Sequence, residues 1–471
     1  MNNNLCTVVY NNKIQCIVKS DNKKLFSKIP KTRMEQKTKV GKRTIIKELI
    51  PFTKSGDKYF VPRYMPLCLG FDGTMLYHPE VKKFVDTVKD KNIKFNCQMS
   101  DKRHKLLDRV ISQLDNVDGA SLQLNTGKGK TTIANYIINH YKKNSIIFTV
   151  NEELQTQADE DARDKFGDTV NIVLLGGKKT KIKLVEEAQK SDESMVEYLG
   201  DRLTIFICVY MSAKKLSSLF WKYIYLAVFD ECHCYCNNTG VALLESCRAQ
   251  KTLGMSATVE YDWRSKIAEY WCGSVVDGDV YIPNRQLDGK VTIINYRGNK
   301  IYTEERRNST GTRSNALMVN LLAEDPERNQ LIINNILDLL KEKYVIIVIA
   351  SSNMMVEKLN TMLEKCCDAK TGLLIRPTSK EERKYVKHEC DVIFTNYMFS
   401  RVGVNIPRAT AMIFASPYKE NGKQINGRIL RSDEPILRKY VDIVDYNTYL
   451  RRWLNTRLVD YNNRGFELEY I

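Results

Sequence analysis

The chain has 471 residues, more than one hydrophobic core usually organises, so two or three domains are expected. Its 73 Lys plus Arg against 56 Asp plus Glu leave a formal charge of +17, which draws polyanions, and no apolar run approaches the ~18 residues of a membrane span, so nucleic acid is favoured over lipid. The opening residues, Met1 to Tyr10, lack the charged-then-apolar order of a secretory signal, and 13 scattered cysteines, an odd number, do not make a disulfide framework. Reduced thiols and an intracellular setting follow.

Residues 1–94 come first and carry a heavy basic load. Among the first 50 residues, 12 are Lys or Arg and 3 are Asp or Glu, so +9 of the charge sits there. A solvated arm is one reading; short β-favouring runs at Thr7 to Tyr10 and Lys58 to Tyr64 favour a small basic accessory domain that grips nucleic-acid phosphates.

From residue 95 to about 280, short apolar runs alternate with helical stretches. Ser121 to Leu124, Ser145 to Val150, Asn171 to Leu175, Leu203 to Val209, Tyr225 to Phe229 and Thr252 to Met255 read as buried strands, with helices at Lys102 to Leu114 and Thr131 to Lys142. That rhythm predicts parallel strands with crossover helices. Gly273, Asp277, Gly278 and Pro283 then punctuate a junction near 275–290. Over 281–471 a second series follows: Tyr344 to Ala350, Leu373 to Ile375, Val392 to Thr395, Ala411 to Ala415 and Val441 to Val444. The predicted fold class is α/β, two tandem lobes of parallel sheet and crossover helices behind a small basic N-terminal domain.

Between the strand ending at Leu124 and the next helix lies Asn125-Thr126-Gly127-Lys128-Gly129-Lys130-Thr131. Glycines let backbone N–H groups face phosphate oxygens, Lys130 reaches the β and γ phosphates of ATP, and the Thr131 hydroxyl suits Mg²⁺. A hundred residues later the run Tyr225 to Phe229 ends in Asp230 and Glu231, which at a strand's carboxyl end are placed to hold Mg²⁺ and to orient and deprotonate a water. Cys232, His233, Cys234 and Cys236 look at first like a zinc knuckle, but no second ligand pair follows at suitable spacing; Cys247 stands alone.

Asp230-Glu231-Cys232-His233 resembles the Asp-Glu-x-His motif of superfamily 2 helicases, whose two RecA-like lobes this chain would share over residues 95–471. By that resemblance Ser256, Ala257 and Thr258, with His233, couple the nucleotide site to the nucleic-acid groove. Thr395 and Gly403-Val404-Asn405-Ile406-Pro407 resemble the fifth motif, with Gly403 toward the nucleotide and Asn405 where Asp is usual. Gln424-Ile425-Asn426-Gly427-Arg428-Ile429-Leu430-Arg431 resembles the sixth, in which Gln424 couples the two sites and Arg428 and Arg431, on one helical face, stabilise transition-state charge. Gln98, after Phe95-Asn96-Cys97, resembles the adenine-recognition residue. Val150 to Gln155 falls where the first-lobe groove motif belongs, without its Pro-Thr pair.

Leu124 to Gly127, Leu321 to Gln330 and Tyr461 to Phe466 are most similar to the transcription-associated DNA helicases of large cytoplasmic DNA viruses, poxviruses and African swine fever virus among them. The resemblance implies an ATP-dependent DNA helicase or translocase, in a virus factory or virion, with an RNA polymerase as a partner. An RNA helicase and a non-catalytic nucleic-acid-binding subunit remain the alternatives.

Overall fold

A computed structural model describes residues 5–10, 13–19, 23, 27–29, 34–40, 43–49, 52–71, 75–77, 84–125, 128–177, 181–235, 238–257, 263–282, 289–375, 378–397, 406, 408–418 and 437–471. The chain divides into two compact units, one of Met1–Val40 with Thr44–Asn284, the other of Gly41–Arg43 with Arg285–Ile471.

In the first unit, strands β1 (Leu5–Tyr10), β2 (Lys13–Lys19), β5 (Thr53–Ser55), β6 (Lys58–Pro62) and β7 (Met75–Tyr77) form a sheet in the order β5-β6-β2-β1-β7. Strands β3 (Met34–Val40) and β4 (Arg43–Leu49) pair with each other. After β6 the chain runs directly into the neighbouring α/β layer. The Arg63 guanidinium donates to the carbonyls of Ala249 and Gln250 at 3.0 and 2.9 Å, and the Tyr64 hydroxyl donates to the Asp118 carbonyl at 2.7 Å. Both side chains are buried. The Tyr64 ring fills the space beside Gly119, where a Cβ would stand 2.4 Å from it, so only glycine fits there.

That α/β layer is a sheet of β8 (Gly119–Gln123), β9 (Ser145–Thr149), β10 (Asn171–Leu175), β11 (Thr204–Val209), β12 (Leu226–Asp230), β13 (Lys251–Ser256) and β14 (Val275–Asp277). All its pairs are parallel, in the order β10-β11-β9-β12-β13-β8-β14. Neighbouring residues of one strand feed opposite cores: Phe148 and Phe229 pack on one face, Ile147 and Val228 on the other. Burial on both faces is why these strands read as unbroken apolar runs.

The second unit repeats the plan with β15 (Gly289–Tyr296), β16 (Ile346–Ala350), β17 (Thr371–Leu374), β18 (Val392–Asn396), β19 (Ala411–Phe414), β20 (Arg438–Asp445) and β21 (Glu467–Tyr470), all parallel, in the order β17-β18-β16-β19-β20-β15-β21. Numbered within each lobe, both sheets read third, fourth, second, fifth, sixth, first, seventh. The two α/β lobes therefore share one topology, that of tandem RecA-like lobes.

The stretch expected as a junction, 275–290, is partly sheet. Val275–Asp277 is the edge strand of the first lobe, and β15 of the second lobe begins at Gly289.

Among the described residues, one difference between the lobes follows the first strand of each. Where the first has its phosphate loop, the second has a helix, Pro326–Lys341, whose N-cap Asp325 accepts from the N–H groups of Glu327 and Arg328. Arg328 is fully buried, binds both carboxylate oxygens of Asp445 at 2.6 and 3.1 Å, and donates to the Ala415 carbonyl at 2.7 Å. Tyr296, at the end of β15, donates to Asp325 at 2.9 Å. The helix N-terminus and the carboxyl ends of the fifth and sixth strands are thus closed over by the protein's own charges. Leu321 to Gln330, noted above for its similarity to viral helicases, supplies this lock.

Candidate functional site

Strand register brings the motifs of the first lobe to one edge. Asp230, ending β12, lies opposite Met255 of β13, and Ser256 lies opposite Gln123 of β8. The phosphate loop, the acid pair and the Ser256-Ala257 turn therefore leave three adjacent strands at their carboxyl ends, where α/β sheets bind ligands. The Leu124 N–H donates to the Ser256 carbonyl at 2.9 Å, tying the residue just before the loop to the first of the Ser-Ala-Thr motif.

The helix after the loop starts at Lys130 and runs to Tyr141. Gly129 precedes it with φ +81°, a left-handed conformation that glycine adopts without cost, while a Cβ there would have ordinary room. Lys130 Nζ donates to the Leu124 carbonyl at 3.2 Å and sits 3.9 Å from Glu231 Oε1. Thr131 is half-buried in the first helical turn.

Glu231 itself has φ +51°, uncommon for a residue with a side chain and a form of strain that gathers at functional sites. Its N–H donates to Asp230 Oδ1 at 3.1 Å, and its Oε2 lies 3.6 Å from His233 Nδ1. His233 Nδ1 also meets Ser256 Oγ at 2.8 Å. A continuous polar line, Lys130, Glu231, His233, Ser256, thus crosses from β8 over β12 to β13. Burial, and then the Glu231 charge, push the Asp230 carboxyl well above the usual carboxylate range, with Lys130 opposing.

The cysteines beside these residues part company. Cys232 is buried in the core, whereas Cys234 is exposed with its Sγ 3.4 Å from His233 Nε2. Cys236 lies outside the described residues.

Sequence reasoning missed one acid here. Asp279, just past β14, accepts from the Asn125 backbone N–H at 3.1 Å and from the Asn125 side-chain amide at 2.6 Å. Burial, reinforced by the nearby Arg103 charge, pushes the half-buried Lys128 below its ordinary pKa, and the same Asp279 carboxylate partly offsets this. Some 150 residues separate Asn125 from Asp279, and nothing local in the sequence links them; only the pairing of β14 with β8 does.

The other expected positions fall as follows. Gln98 is exposed, next to Phe95, whose ring packs on Tyr136 and Phe166. Ala257 is buried. Gln155 is buried and donates to the carbonyls of Leu175 and Ile207, bracing β10 and β11. In the second lobe Thr395 is buried and its hydroxyl donates to the Leu374 carbonyl at 2.7 Å. Thr126, Gly127, Thr258, Gly403, Asn405, Gln424, Arg428 and Arg431 lie outside the described residues.

Residues 96–261 match the family model described as "Type III restriction enzyme, res subunit". Among curated proteins, the chain is 24% identical over 457 residues to the "Putative ATP-dependent RNA helicase QP509L" of African swine fever virus, Warthog/Namibia isolate, covering 91% of this chain and 83% of that one. The Pig/Kenya isolate's protein is 25% identical with 91% and 84% covered. Among solved structures, Saccharomyces cerevisiae Dbp5 bound to RNA and ADP BeF3 superposes with TM-score 0.53 at 12% identity, over 78% of this chain and 89% of that one. The ATP-dependent Type ISP restriction-modification enzyme LlaBIII bound to DNA gives TM-score 0.54 at 13% identity, over 80% of this chain and 31% of that one. The Asn125–Thr131 loop and the Asp230-Glu231 pair thus lie inside the matched family region, the two sheets share the fold of these solved structures, and the viral relatives align over 91% of the chain: the chain is related to the ATP-dependent helicases of African swine fever virus and has the two-lobed helicase fold.

Proposed function

We propose that the chain hydrolyses ATP at the carboxyl edge of its first sheet and converts each turnover into movement along nucleic acid, with DNA the preferred track. The observation that carries this reading is the polar line from Lys130 through Glu231 and His233 to Ser256, which joins a phosphate-binding lysine to three strand ends at once. Lys130 holds the β and γ phosphates, Glu231 takes the proton of the attacking water, and His233 with Ser256 passes the state of that site to the next strand. Asn125 to Lys128, with Gly129, cradle the phosphates, Gln98 reads the adenine, and Arg428 and Arg431 add positive charge to the transferring phosphoryl group.

Thr131 and Asp230 are the residues that would hold Mg²⁺. Hydroxyl and carboxylate are hard oxygen donors of the kind this ion takes, and the burial and like charge that raise Asp230 are relieved by a cation, so the donors fit. The ion would neutralise charge on the phosphates. Support for DNA comes from the restriction-enzyme family matched over the first lobe and from the likeness to viral transcription-associated DNA helicases. The swine fever virus relatives are named as RNA helicases, which favours RNA instead.

Hydrolysis rates of the purified protein, measured alone and with single-stranded DNA, duplex DNA and RNA, test the proposal. Stimulation by DNA above RNA is expected; equal rates with and without any nucleic acid would sink the motor reading. Strand displacement with each overhang polarity then separates helicase from translocase. The same likeness extends the proposal to transcript release beside an RNA polymerase, which co-purification from infected cells tests, and assigns residues 1–94 to gripping phosphates.

A further inference from the structure

The second lobe carries a cluster that none of the motifs uses. After β20 the chain turns at Tyr446 into a short 3-10 helix, Tyr449–Trp453, and the segment 297–314 that follows β15 runs beside it. Arg297 and Arg451 both lie over the Tyr446 ring, each 5.1 Å from its centroid. Arg313 and Arg452 lie over Tyr449 at 5.3 and 5.9 Å. All four arginines are exposed, and Tyr446 is 39% exposed.

The base under this cluster is firm. Tyr446 N–H donates to the Tyr296 carbonyl at 2.9 Å, the Tyr449 hydroxyl bonds Asn315 at 3.1 Å, and Leu450 and Trp453 are buried against Met318 and Leu322. The tips are therefore presented from an ordered platform.

A guanidinium held by a carboxylate has spent its charge, whereas one held by a ring face is oriented and still positive. Among the described residues no ion pair involves Arg297, Arg451 or Arg452. Arg313 pairs with Glu305, but that carboxylate is shared with Arg307, so one negative charge meets two positive ones. The result is unneutralised charge interleaved with flat π-surfaces. Phosphates answer the first and unpaired bases the second; an acidic protein segment would use the charge and leave the planes idle.

We propose that the surface around Tyr446 and Tyr449 docks a single-stranded stretch of nucleic acid, the arginines on phosphates and the ring and guanidinium planes against bases. This rests on the reading of the chain as a nucleic-acid motor, and adds to it a binding place apart from the phosphate-loop edge.

Binding of labelled oligo-dT and oligo-U to the full chain, followed by fluorescence anisotropy over a salt series, tests it. Joint Arg451→Ala and Arg452→Ala replacement is expected to weaken binding about tenfold and lower the salt slope by about 1.4, the release expected for two single-strand phosphates. Tyr446→Leu should weaken it about fivefold or more, the loss of one stacked base, while Tyr446→Phe keeps the affinity. Lys341→Ala, an exposed residue of the helix Pro326–Lys341 outside the cluster, is the off-site control and should change nothing. Joint Arg451→Lys and Arg452→Lys replacement, which leaves charge and fold but removes the planes, should keep the slope and lose affinity. Unaltered affinity and slope in the alanine pair, with a wild-type melting midpoint, overturn the proposal. So does polyglutamate competing as well as the oligonucleotides and losing equally in the variants, since charge alone would then explain the surface. Failure here leaves nucleic-acid-stimulated hydrolysis by the unaltered chain in place; absence of that stimulation is what overturns the motor reading.

Discussion

At the scale of single residues, Glu231 is held by its own strained backbone between Lys130 and His233. Glu231→Gln keeps shape and size but cannot take a proton, so kcat should fall about 10²- to 10⁴-fold with ATP binding retained, read by steady-state hydrolysis beside nucleotide titration. Wild-type turnover in that variant would revive the non-catalytic reading. Asp230 makes a pH prediction. Its folded pKa is raised, so its contribution to stability is full below the unfolded value of ~3.9 and is lost as pH climbs through the folded value. Asp230→Asn should therefore raise the melting midpoint of the nucleotide-free protein at neutral pH, with the gain shrinking as the solution is acidified. Thermal melts across pH decide this; a gain that grows toward low pH contradicts the assignment.

At the scale of elements, the central strands were legible because burial on both faces leaves apolar runs with no polar interruption. Asn171–Leu175 was read to the residue, and Ser145–Thr149 and Thr204–Val209 within one. The first of these lies at an edge of its sheet, but β14, β15 and β21, at or beside the opposite edges, were not read. Val275–Asp277 is three residues long, Glu467–Tyr470 alternates acids with apolar residues, and Gly289–Tyr296 alternates half-buried positions into a sequence already marked as junction. The strand ending before Asn125, the helix starting at Lys130 and the strand ending at Asp230 were legible since their signals are local. Asp279 was hidden because its partner is supplied by strand pairing. The buried Arg328–Asp445 pair was also hidden, and it carries an element-scale prediction: Arg328→Ala strands a carboxylate in the second lobe and should cost about 3–5 kcal/mol in denaturant unfolding, while replacing both partners with apolar residues should cost far less.

For the molecule as a whole, the basic N-terminal sheet is continuous with the first lobe through two buried side chains, so its removal is no neutral trimming. Tyr64→Ala empties the space against Gly119 and leaves the Asp118 carbonyl and Thr252 hydroxyl without that partner, at a cost of about 3 kcal/mol. Calorimetry should show the first-lobe transition shifted down. An unchanged profile would mean that the N-terminal sheet folds apart from the lobe.

The shared strand order has a consequence for stoichiometry. Two lobes of one topology offer two places where a triphosphate would sit, but in the second a carboxylate already caps the helix and a guanidinium already spans the strand ends. The chain should saturate at one nucleotide, countable by equilibrium dialysis, and burn one fuel molecule per cycle. The second lobe then holds no triphosphate of its own and, beyond lending Arg428 and Arg431 to hydrolysis, is a frame whose loops can diverge toward the track.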